Sequence, residues 1–445
     1  MDPVSALDDA LERPFAGYAY AYPHKTAYRA MEPRPLADVW AAEDRSRLFA
    51  YVHVPFCTMR CGFCNLFTVA RAGDVGGAYV DAVLRQIEAT ARALPDARFA
   101  RVAVGGGTPT YLAATDLERL FRGLADGFGA PVARLPSSVE CSPETADEER
   151  LEVLARWNVR RLSMGVQSFH DHEVRRLGRL QRRAEVLEVV QRARRLGFPR
   201  LNLDLIYGIE GQTPASFLES VDAAIGLEAE EVYLYPLYVR PLTGLGRRAH
   251  RSGDHDALRL ALYEAGRGRL LEGGYHQRSM RSFHRLAPGA EGDPPYRCQD
   301  DGMVGLGSGA RSYTRELHYS FDYAVGRSET QAILDAYVGR GEAAFGQVAH
   351  GFPMSGPEAR RRFVIQSLLD GEGLDRAAYR ARFGTVVDED LPQLAELRGR
   401  PWVDGAEADD PLLRLRPEGW RYSDALGPWL YSAAVHEAMG EWEPR

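Results

Sequence analysis

The sequence predicts an α/β protein built on an incomplete barrel of six β/α units, and three observations support this. Short apolar runs alternate with stretches of helical spacing from residue 48 onward, an alternation that is typical of parallel β/α architecture. Six such units precede residue 245, where the pattern loosens, whereas a closed eight-unit barrel takes about 250 residues. Polar side chains follow several of the runs, at the strand ends where parallel β/α folds gather their ligands.

The six predicted strands are short apolar runs that end in small or polar residues. They cover residues 48–54, 99–104, 138–141, 161–165, 201–206 and 231–237. Helical spacing of the apolar residues predicts helices between them, for example over 79–94 and 116–127, and a further helix over 255–275. Residues 276–300 are predicted to form a polar loop.

A chain of 445 residues is expected to hold more than one domain, because single cores rarely grow beyond roughly 250–300 residues. We expect an N-terminal extension over residues 1–46, the barrel over 47–250, a post-barrel extension over 251–350, and a small, mainly helical or winged-helix-like domain over 351–445. The tyrosines and prolines of the N-terminal extension predict that it packs on the barrel. It either lines a pocket or merely clips onto the outside.

Charge and hydropathy exclude several classes of function. A net charge of −7 gives no whole-chain attraction for nucleic acid, and most of the arginines at 175–183 and 192–195 are predicted to lie on solvated helix faces. No apolar run reaches the ~18 residues that a membrane helix needs. The first residues lack the basic start and apolar stretch of a signal peptide, so we expect a cytoplasmic protein.

Three of the five cysteines lie in one loop directly after the first strand. Cys57, Cys61 and Cys64 have the spacing C-x3-C-x2-C, so one short loop can turn three sulfurs toward a common point. A [4Fe–4S] cluster is normally held by four thiolates, and a triad leaves one iron open to a small chelating molecule. A structural zinc site would need a second ligand pair, which does not follow downstream. A disulfide is disfavoured by the absence of a secretory signal, and three cysteines in eight residues are not a core pattern.

The stretch from Tyr51 to Thr68 resembles the cluster loop of the radical S-adenosylmethionine (SAM) enzymes. Its opening, Tyr-Val-His-Val-Pro-Phe-Cys, most resembles the branch that contains oxygen-independent coproporphyrinogen III oxidase, a branch related to haem chaperones and to class C radical SAM methyltransferases. The resemblance implies that Cys57, Cys61 and Cys64 hold a [4Fe–4S] cluster. It also implies that SAM binds the open iron and is cleaved by reduction to methionine and a 5′-deoxyadenosyl radical.

Two further sets of residues are candidates for a ligand site. The glycines of Gly105-Gly106-Gly107-Thr108 let the backbone approach a ligand without a Cβ in the way, although a tight strand-to-helix turn would explain them equally well. Glu140, Gln167, Arg179 and Asp204 lie at or just past later strand ends. The alternative for the charged members of this set is a structural ion-pair network.

The resemblance assigns a role to each of these positions. The glycine segment would hydrogen-bond the amino group of SAM, Glu140 would contact its methionine part and Arg179 its carboxylate. Gln167 and Asp204 would hold ribose hydroxyls. Phe63 would lie near the adenine, Tyr51 beside the cluster, and Asp204, Ile206 and Tyr238 would contribute to a second SAM pocket, so that one or two SAM molecules are expected.

The function predicted from this resemblance is that of a radical SAM oxidoreductase acting on an organic small molecule, porphyrin-like in the related enzymes, with reduced flavodoxin or ferredoxin as electron donor. Methyl transfer with two SAM molecules and haem carriage are the alternatives. Leu66 stands where the oxidases carry a fourth cysteine, and His318-Tyr-Ser-Phe-Asp-Tyr323 replaces the chaperones' His-Asn-x-x-Tyr-Trp. In a haem carrier, His276, His284 and His318 are the candidate axial ligands.

Overall fold

The computed structural model describes residues 7–70, 73, 75–129, 132–247, 255–285 and 297–443. Its strands are β1 (Arg29–Pro35), β2 (Leu48–Val54), β3 (Phe56–Cys57), β4 (Val69–Ala70), β5 (Phe99–Gly106), β6 (Ser137–Cys141), β7 (Arg161–Gln167), β8 (Arg200–Tyr207), β9 (Glu231–Pro236), β10 (His276–Gln277), β11 (Ser282–His284), β12 (Met303–Leu306), β13 (Arg311–Tyr313), β14 (Leu317–Ser320), β15 (Gln347–Pro353), β16 (Leu374–Asp375), β17 (Val403–Asp404) and β18 (Leu412–Leu415).

Helices follow most of the central strands along the chain. They are α1 (Leu7–Leu11), α2 (Leu36–Val39), α3 (Val75–Ala93), α4 (Ala114–Phe128), α5 (Glu148–Arg156), α6 (Asp171–Arg176), α7 (Arg183–Arg195), α8 (Pro214–Gly226), α9 (His255–Glu272), α10 (Cys298–Asp301), α11 (Arg327–Val338), α12 (Glu342–Phe345), α13 (Gly356–Leu368), α14 (Arg376–Phe383), α15 (Val387–Asp390), α16 (Ser423–Trp429) and α17 (Ala433–Gly440). None of the described helices combines the length and apolar character that a membrane crossing requires.

The six predicted strands are β2 and β5 to β9, and each pairs in parallel with the next. Their apolar residues are buried because the sheet is covered on the outside by amphipathic helices such as α4, which buries Leu117, Leu120, Phe121 and Leu124. The prediction of an incomplete six-unit α/β barrel is therefore confirmed. All six carboxyl ends lie at the same edge of the barrel.

Short strands extend the barrel on both sides into one sheet of 13 strands, in the order β1-β15-β14-β13-β12-β2-β5-β6-β7-β8-β9-β11-β10. β12 pairs in parallel with β2, from Met303 opposite Phe49 onward. β11 pairs antiparallel with β9, so the prediction of a polar loop over residues 276–300 is wrong where β10 and β11 lie. Residues 286–296 of that loop are outside the described residues.

The C-terminal segment adds helices α13 to α17 and a small sheet in the order β16-β18-β17. It is joined to the barrel by a buried ion pair between Asp424 on α16 and Arg281 before β11, with a closest contact of 2.5 Å. The Arg281 guanidinium also lies 3.8 Å from the ring centroid of Tyr18. N-terminal, barrel and C-terminal residues therefore meet in one place. The division into domains at residues 46, 250 and 350 remains a prediction from the sequence.

Candidate active site

A cavity of about 780 Å³ opens at the carboxyl ends of the barrel strands, a volume in the usual range for small-molecule sites. Its wall contains nearly all the residues singled out in the sequence: Tyr51, Cys57, Cys61, Phe63, Cys64, Gly106, Gly107, Thr108, Glu140, Gln167, Arg179, Asp204, Ile206 and Tyr238. Gly105 lies directly behind this wall, since a Cβ on it would be 2.9 Å from the Glu140 carboxyl carbon. Residues that are up to 187 positions apart in the chain, Tyr51 and Tyr238, thus line the same cavity. This agrees with the expectation that ligand sites of parallel β/α folds form where the carboxyl ends of the strands meet.

The three cysteines of the loop are free thiols on this wall. Backbone hydrogen bonds fix the loop between them: the Gly62 amide donates to the Leu177 carbonyl and the Leu245 amide donates to the Gly62 carbonyl, both at 2.7 Å. The Thr108 hydroxyl lies 3.6 Å from Cys57 Sγ. The loop is therefore held by segments that follow α6 and β9, far along the chain.

The electrostatics of the thiols depend on one another. Burial raises the pKa of the Cys57 thiol to about 12, and the neighbouring Cys64 and Cys61 raise it further, against the lowering effect of Thr108. Burial also raises the pKa of Cys61, while Arg179 lowers it. The three thiols thus interact electrostatically, and a bound metal cation would be needed to stabilise all three as thiolates.

The glycine segment after β5 has no room for side chains. Gly106 has φ +114°, and a Cβ there would lie 2.6 Å from the His53 ring; a Cβ on Gly107 would lie 2.6 Å from the Phe56 carbonyl oxygen. The Gly106 amide donates a 2.9 Å hydrogen bond to Glu140. These glycines are required by close packing in the fold as well as by any ligand.

Two carboxyl groups face the cavity from β6 and β8. Burial within the barrel raises the pKa of Glu140 to about 7, although its side chain still reaches the water of the cavity. Burial raises the pKa of Asp204 to about 6, and a 2.8 Å hydrogen bond from the Asn202 amide lowers it in part. Asn202 also donates to the Ser163 hydroxyl at 2.8 Å, so Asp204 is held by a polar pair rather than by a cation.

Arg179 and Gln167 meet beside Gly165. Arg179 is 6% exposed and donates to Gln181 at 2.9 Å, while its Nε has no partner in the described chain. A Cβ on Gly165 would lie 2.8 Å from the Gln167 amide nitrogen and 3.3 Å from Arg179 Nη1. None of Glu140, Arg179 and Asp204 forms an ion pair with another described residue, so the alternative of a structural ion-pair network finds no support in the geometry.

One part of the cavity wall is apolar. Phe63 packs with Ile206 in a small cluster that also holds Leu177, Ile209 and Leu237, with Tyr235 at its edge. Tyr51 lies elsewhere on the wall, with its hydroxyl 3.3 Å from His53 Nδ1. Leu66 is 43% exposed and also lines the cavity.

Comparison with known proteins identifies the family. Residues 51–224 match the model of the Radical SAM superfamily. A haem chaperone from Mycobacterium tuberculosis is 33% identical over 272 residues, which are 59% of this chain and 68% of that protein. The chain belongs to the radical SAM superfamily.

Two further relatives extend the likeness beyond the radical SAM core. The oxygen-independent coproporphyrinogen III oxidase of Paracoccus denitrificans is 28% identical over 424 residues, covering 86% of this chain and 90% of that one. The solved structure of coproporphyrinogen III oxidase from Escherichia coli superposes with a TM-score of 0.78 at 23% identity, covering 94% and 98% of the two chains. That likeness shows a shared fold over almost the whole length.

Membership in the radical SAM superfamily implies a [4Fe–4S] cluster and SAM, and the donor set fits both. Among the described residues, no three His, Cys, Asp or Glu side chains are arranged to hold a single metal ion, although three free thiols line one wall. Thiols are the donors that hold an iron–sulfur cluster, so the donor type fits the cluster. The unpartnered Nε of Arg179 and the glycine segment leave groups for an amino-acid ligand to satisfy.

Several wall residues of this radical SAM chain were not singled out in the sequence. Tyr18, Tyr20 and Lys25 come from the N-terminal extension and Arg311 from β13. The extension therefore lines the pocket, the first of its two predicted placements. A signal was present in the density of tyrosines around Lys25, but only the fold shows which of them face the cavity.

The candidate haem ligands do not meet in the cavity. His276 and His284 pair across β10 and β11 at one end of the sheet. His318 is fully buried on β14 toward the other end, where its Nε2 accepts a 2.8 Å hydrogen bond from Arg362. None of the three lines the cavity.

Proposed function

We propose that this chain is a radical SAM enzyme that acts on an organic small molecule bound in the barrel cavity. The observation that carries the proposal is the convergence of three free thiols of one loop with Glu140 and Arg179 on a single wall. A reduced cluster bound there would supply the electron that cleaves SAM to methionine and a 5′-deoxyadenosyl radical.

The chain's own residues would bind and orient SAM. The Glu140 carboxylate would accept hydrogen bonds from the SAM ammonium beside the glycine segment, and Arg179 would donate to the SAM carboxylate through its unpartnered edge. Gln167 and Asp204 would hold ribose hydroxyls. Phe63 and Ile206 would offer an apolar surface to the adenine, and Tyr51 would lie beside the cluster.

The chain would also limit the access of water to the reacting atoms. The N-terminal extension places Tyr18 and Tyr20 on the cavity wall, and their rings pack 4.9 Å apart. The ring of Tyr18 also packs against the ring of Tyr235 of β9, with 6.3 Å between the ring centroids. A closed, low-water site protects reactive intermediates and strengthens each polar contact within it.

We further propose that the reaction is an oxidation of a small organic acid or porphyrin-like substrate rather than methyl transfer. Similarity to the coproporphyrinogen III oxidases supports this, because it covers 86% of the chain and includes the segments outside the core. Leu66 is an exposed wall residue where those enzymes carry a fourth cysteine, so the substrate need not be the same.

The test is anaerobic reconstitution with iron and sulfide, followed by reduction with dithionite in the presence of SAM. We expect about four irons per chain for a [4Fe–4S] cluster, and release of 5′-deoxyadenosine and methionine. Reduced flavodoxin in place of dithionite would test the expected donor. Release of S-adenosylhomocysteine alongside deoxyadenosine would point to methyl transfer instead.

Haem carriage is a second candidate because of the 33% identity to a haem chaperone. Titration of the reconstituted chain with haemin would then shift the Soret band with a saturable, one-to-one stoichiometry. The separation of His276 and His284 from His318 predicts that substituting these residues leaves any such shift unchanged. A protein that binds haemin but releases no deoxyadenosine would contradict the proposed enzyme.

A further inference from the structure

Lys25 is the only lysine among the 55 lysine and arginine residues of this sequence. It lies in a short turn of 3-10 helix, Lys25–Ala27, in the N-terminal extension, and it lines the barrel cavity as well as a second cavity beside it. Its ammonium nitrogen is 3.8 Å from the ring centroid of Tyr323. Tyr323 in turn donates a 2.6 Å hydrogen bond to the Asn65 carbonyl of the cysteine loop. The single lysine is thus placed beside the cluster loop.

Arg311 brings a second positive charge to the same part of the wall. Its guanidinium carbon is 4.9 Å from the ring centroid of Tyr20, and its Nη1 is buried without a hydrogen-bond partner in the described chain. Lys25 and Arg311 act on each other and on Tyr20 electrostatically. The groups with the largest electrostatic effect on Arg311 are the phenols of Tyr20, Tyr313, Tyr28 and Tyr51, and the Cys298 thiol also interacts with it.

Lys25 and Arg311 are both half-buried, and the charge of one disfavours the charge of the other. Burial lowers the pKa of Lys25 to about 8, and Arg311 lowers it further, against the opposing effects of Tyr20 and Cys64. Burial alone would raise the pKa of Tyr20, yet the charges of Arg311 and Lys25, together with a hydrogen bond between Tyr20 and Arg311, lower that pKa. Charges that are withdrawn from water in proteins are normally paired, and neither of these half-buried cations forms an ion pair with a described residue.

The choice of lysine at this position is itself informative. Apart from Lys25, all of the 55 lysine and arginine residues are arginines, so this position departs from the strong preference of the sequence for arginine. An ammonium is a compact point charge with three rotatable donors, whereas a guanidinium is a wide planar fork. A compact cation next to a planar one can hold one oxygen of an anion while the fork holds the other.

We propose that Lys25 and Arg311 form an oxoanion subsite, which holds a carboxylate or phosphate group of the substrate on the wall that the N-terminal extension and β13 contribute. The subsite rests on the proposed function only in taking the cavity as the place of the substrate. It identifies the substrate class as an organic acid or phosphate ester. Both residues lie outside residues 51–224, the part that matches the superfamily model, as expected for a device that selects the substrate.

The sole lysine allows a direct test on the reconstituted full chain. Reductive methylation with ¹³C-formaldehyde labels Lys25 and the N-terminal amine, and it preserves their charge; the Lys25→Arg variant identifies the lysine signal. Acetate and inorganic phosphate are then titrated against sodium chloride of equal ionic strength. We expect a saturable shift of the Lys25 methyl signal with one or both oxoanions, and none with chloride.

Arg311→Gln should weaken the oxoanion affinity at least tenfold, and Arg311→Lys should keep most of it. The matched control is Arg340→Gln, since Arg340 also packs on a ring, 4.7 Å from the centroid of Phe321, but does not line the barrel cavity. If Arg311→Gln fails to fold, Lys25→Met with a fluorescent or calorimetric measurement of the same titration replaces it.

The outcomes separate this inference from the proposed function. A shift with acetate alone identifies a carboxylate site, and a shift with phosphate identifies a phosphate site. A response that follows ionic strength, or that SAM alone abolishes by occupying the site, overturns the proposal. Because the readout needs no SAM cleavage, an inactive protein that still binds the oxoanion would refute the enzyme but not the subsite.

Discussion

Gly106→Ala is the sharpest test of the packing behind the candidate SAM site. Gly106 has φ +114°, and an added Cβ would lie 2.6 Å from His53 Cε1 and 2.7 Å from both ring nitrogens. The ring has little room to retreat, because its Nε2 is hydrogen-bonded to the Phe67 carbonyl at 2.9 Å. On another side the Gly309 backbone lies so close that even a Cβ added there would be 2.8 Å from the ring. The backbone of the strand end must therefore move.

The magnitude follows from two contributions. A positive φ costs an L-residue roughly 1–3 kcal/mol, and overpacking a buried site costs roughly 1–3 kcal/mol more. For a chain of this length each kcal/mol lowers the melting temperature by about 1 °C. The displaced Gly106 amide would also lose its 2.9 Å hydrogen bond to Glu140, and a displacement of about 1 Å at a site costs roughly 100-fold in rate.

The assay is deoxyadenosine release together with a thermal melt, and the matched control is Gly197→Ala. Gly197 has φ +77°, but a Cβ there meets no atom within 4 Å. The control therefore bears the backbone cost alone, roughly 1–2 kcal/mol, and should cleave SAM normally. If Gly106→Ala releases deoxyadenosine at the wild-type rate and melts like the control, the steric argument for the glycine segment is refuted.

Three further predictions follow from the same structure. Cys64→Ala should abolish a stable cluster, measured as iron content and absorbance near 400 nm, whereas Cys298→Ala, which lies outside the cavity wall, should leave both unchanged. Burial raises the pKa of Glu140 to about 7, so its carboxylate forms as pH rises from about 5 to 8, and calorimetry should show that SAM affinity rises with it. The Glu140→Gln variant should lose this pH dependence. Because a charge-assisted hydrogen bond contributes about 1.5–3 kcal/mol, the variant should bind SAM roughly 10- to 150-fold more weakly at pH 8. Asp424→Asn should leave the buried Arg281 unpaired and destabilise the fold by roughly 3–5 kcal/mol, and an unchanged melting temperature would contradict that role.

The barrel was predictable because its strands carry their own signal. β2, β5 and β8 are runs of 7–8 residues with buried apolar positions, long enough to be recognised between helices of clear periodicity. β10, β11 and β12 have 2–4 residues each. Strands this short have no readable alternation, and β12 pairs with β2, about 250 positions earlier in the chain.

The residues of the candidate site likewise fall into those that the sequence predicts and those that only the fold reveals. Glu140 and Gln167 were found because a polar residue at the end of an apolar strand is visible in the sequence, and the carboxyl ends of parallel strands share one edge. Asp204 was found because it is an acid inside an otherwise apolar strand, β8. Lys25 and Arg311 were missed as a pair, since one lies in an irregular segment and the other in a three-residue strand. Nothing local relates two such positions; only the pairing of β13 with β12 and β14 and the folding of the N-terminal extension over the barrel place them together.

The sequence by itself determined which functional groups are available for a site: three thiols in one loop, a glycine segment, polar residues at strand ends, and one lysine among many arginines. These are local properties, set by residue type and spacing. Only the tertiary structure decided that the thiols, the carboxyl groups and the lysine face one cavity, and that Glu140, Asp204 and Lys25 have displaced pKa values there. The physical reason is that burial and neighbouring charge depend on contacts between segments that are far apart in the chain, up to 286 positions for Lys25 and Arg311.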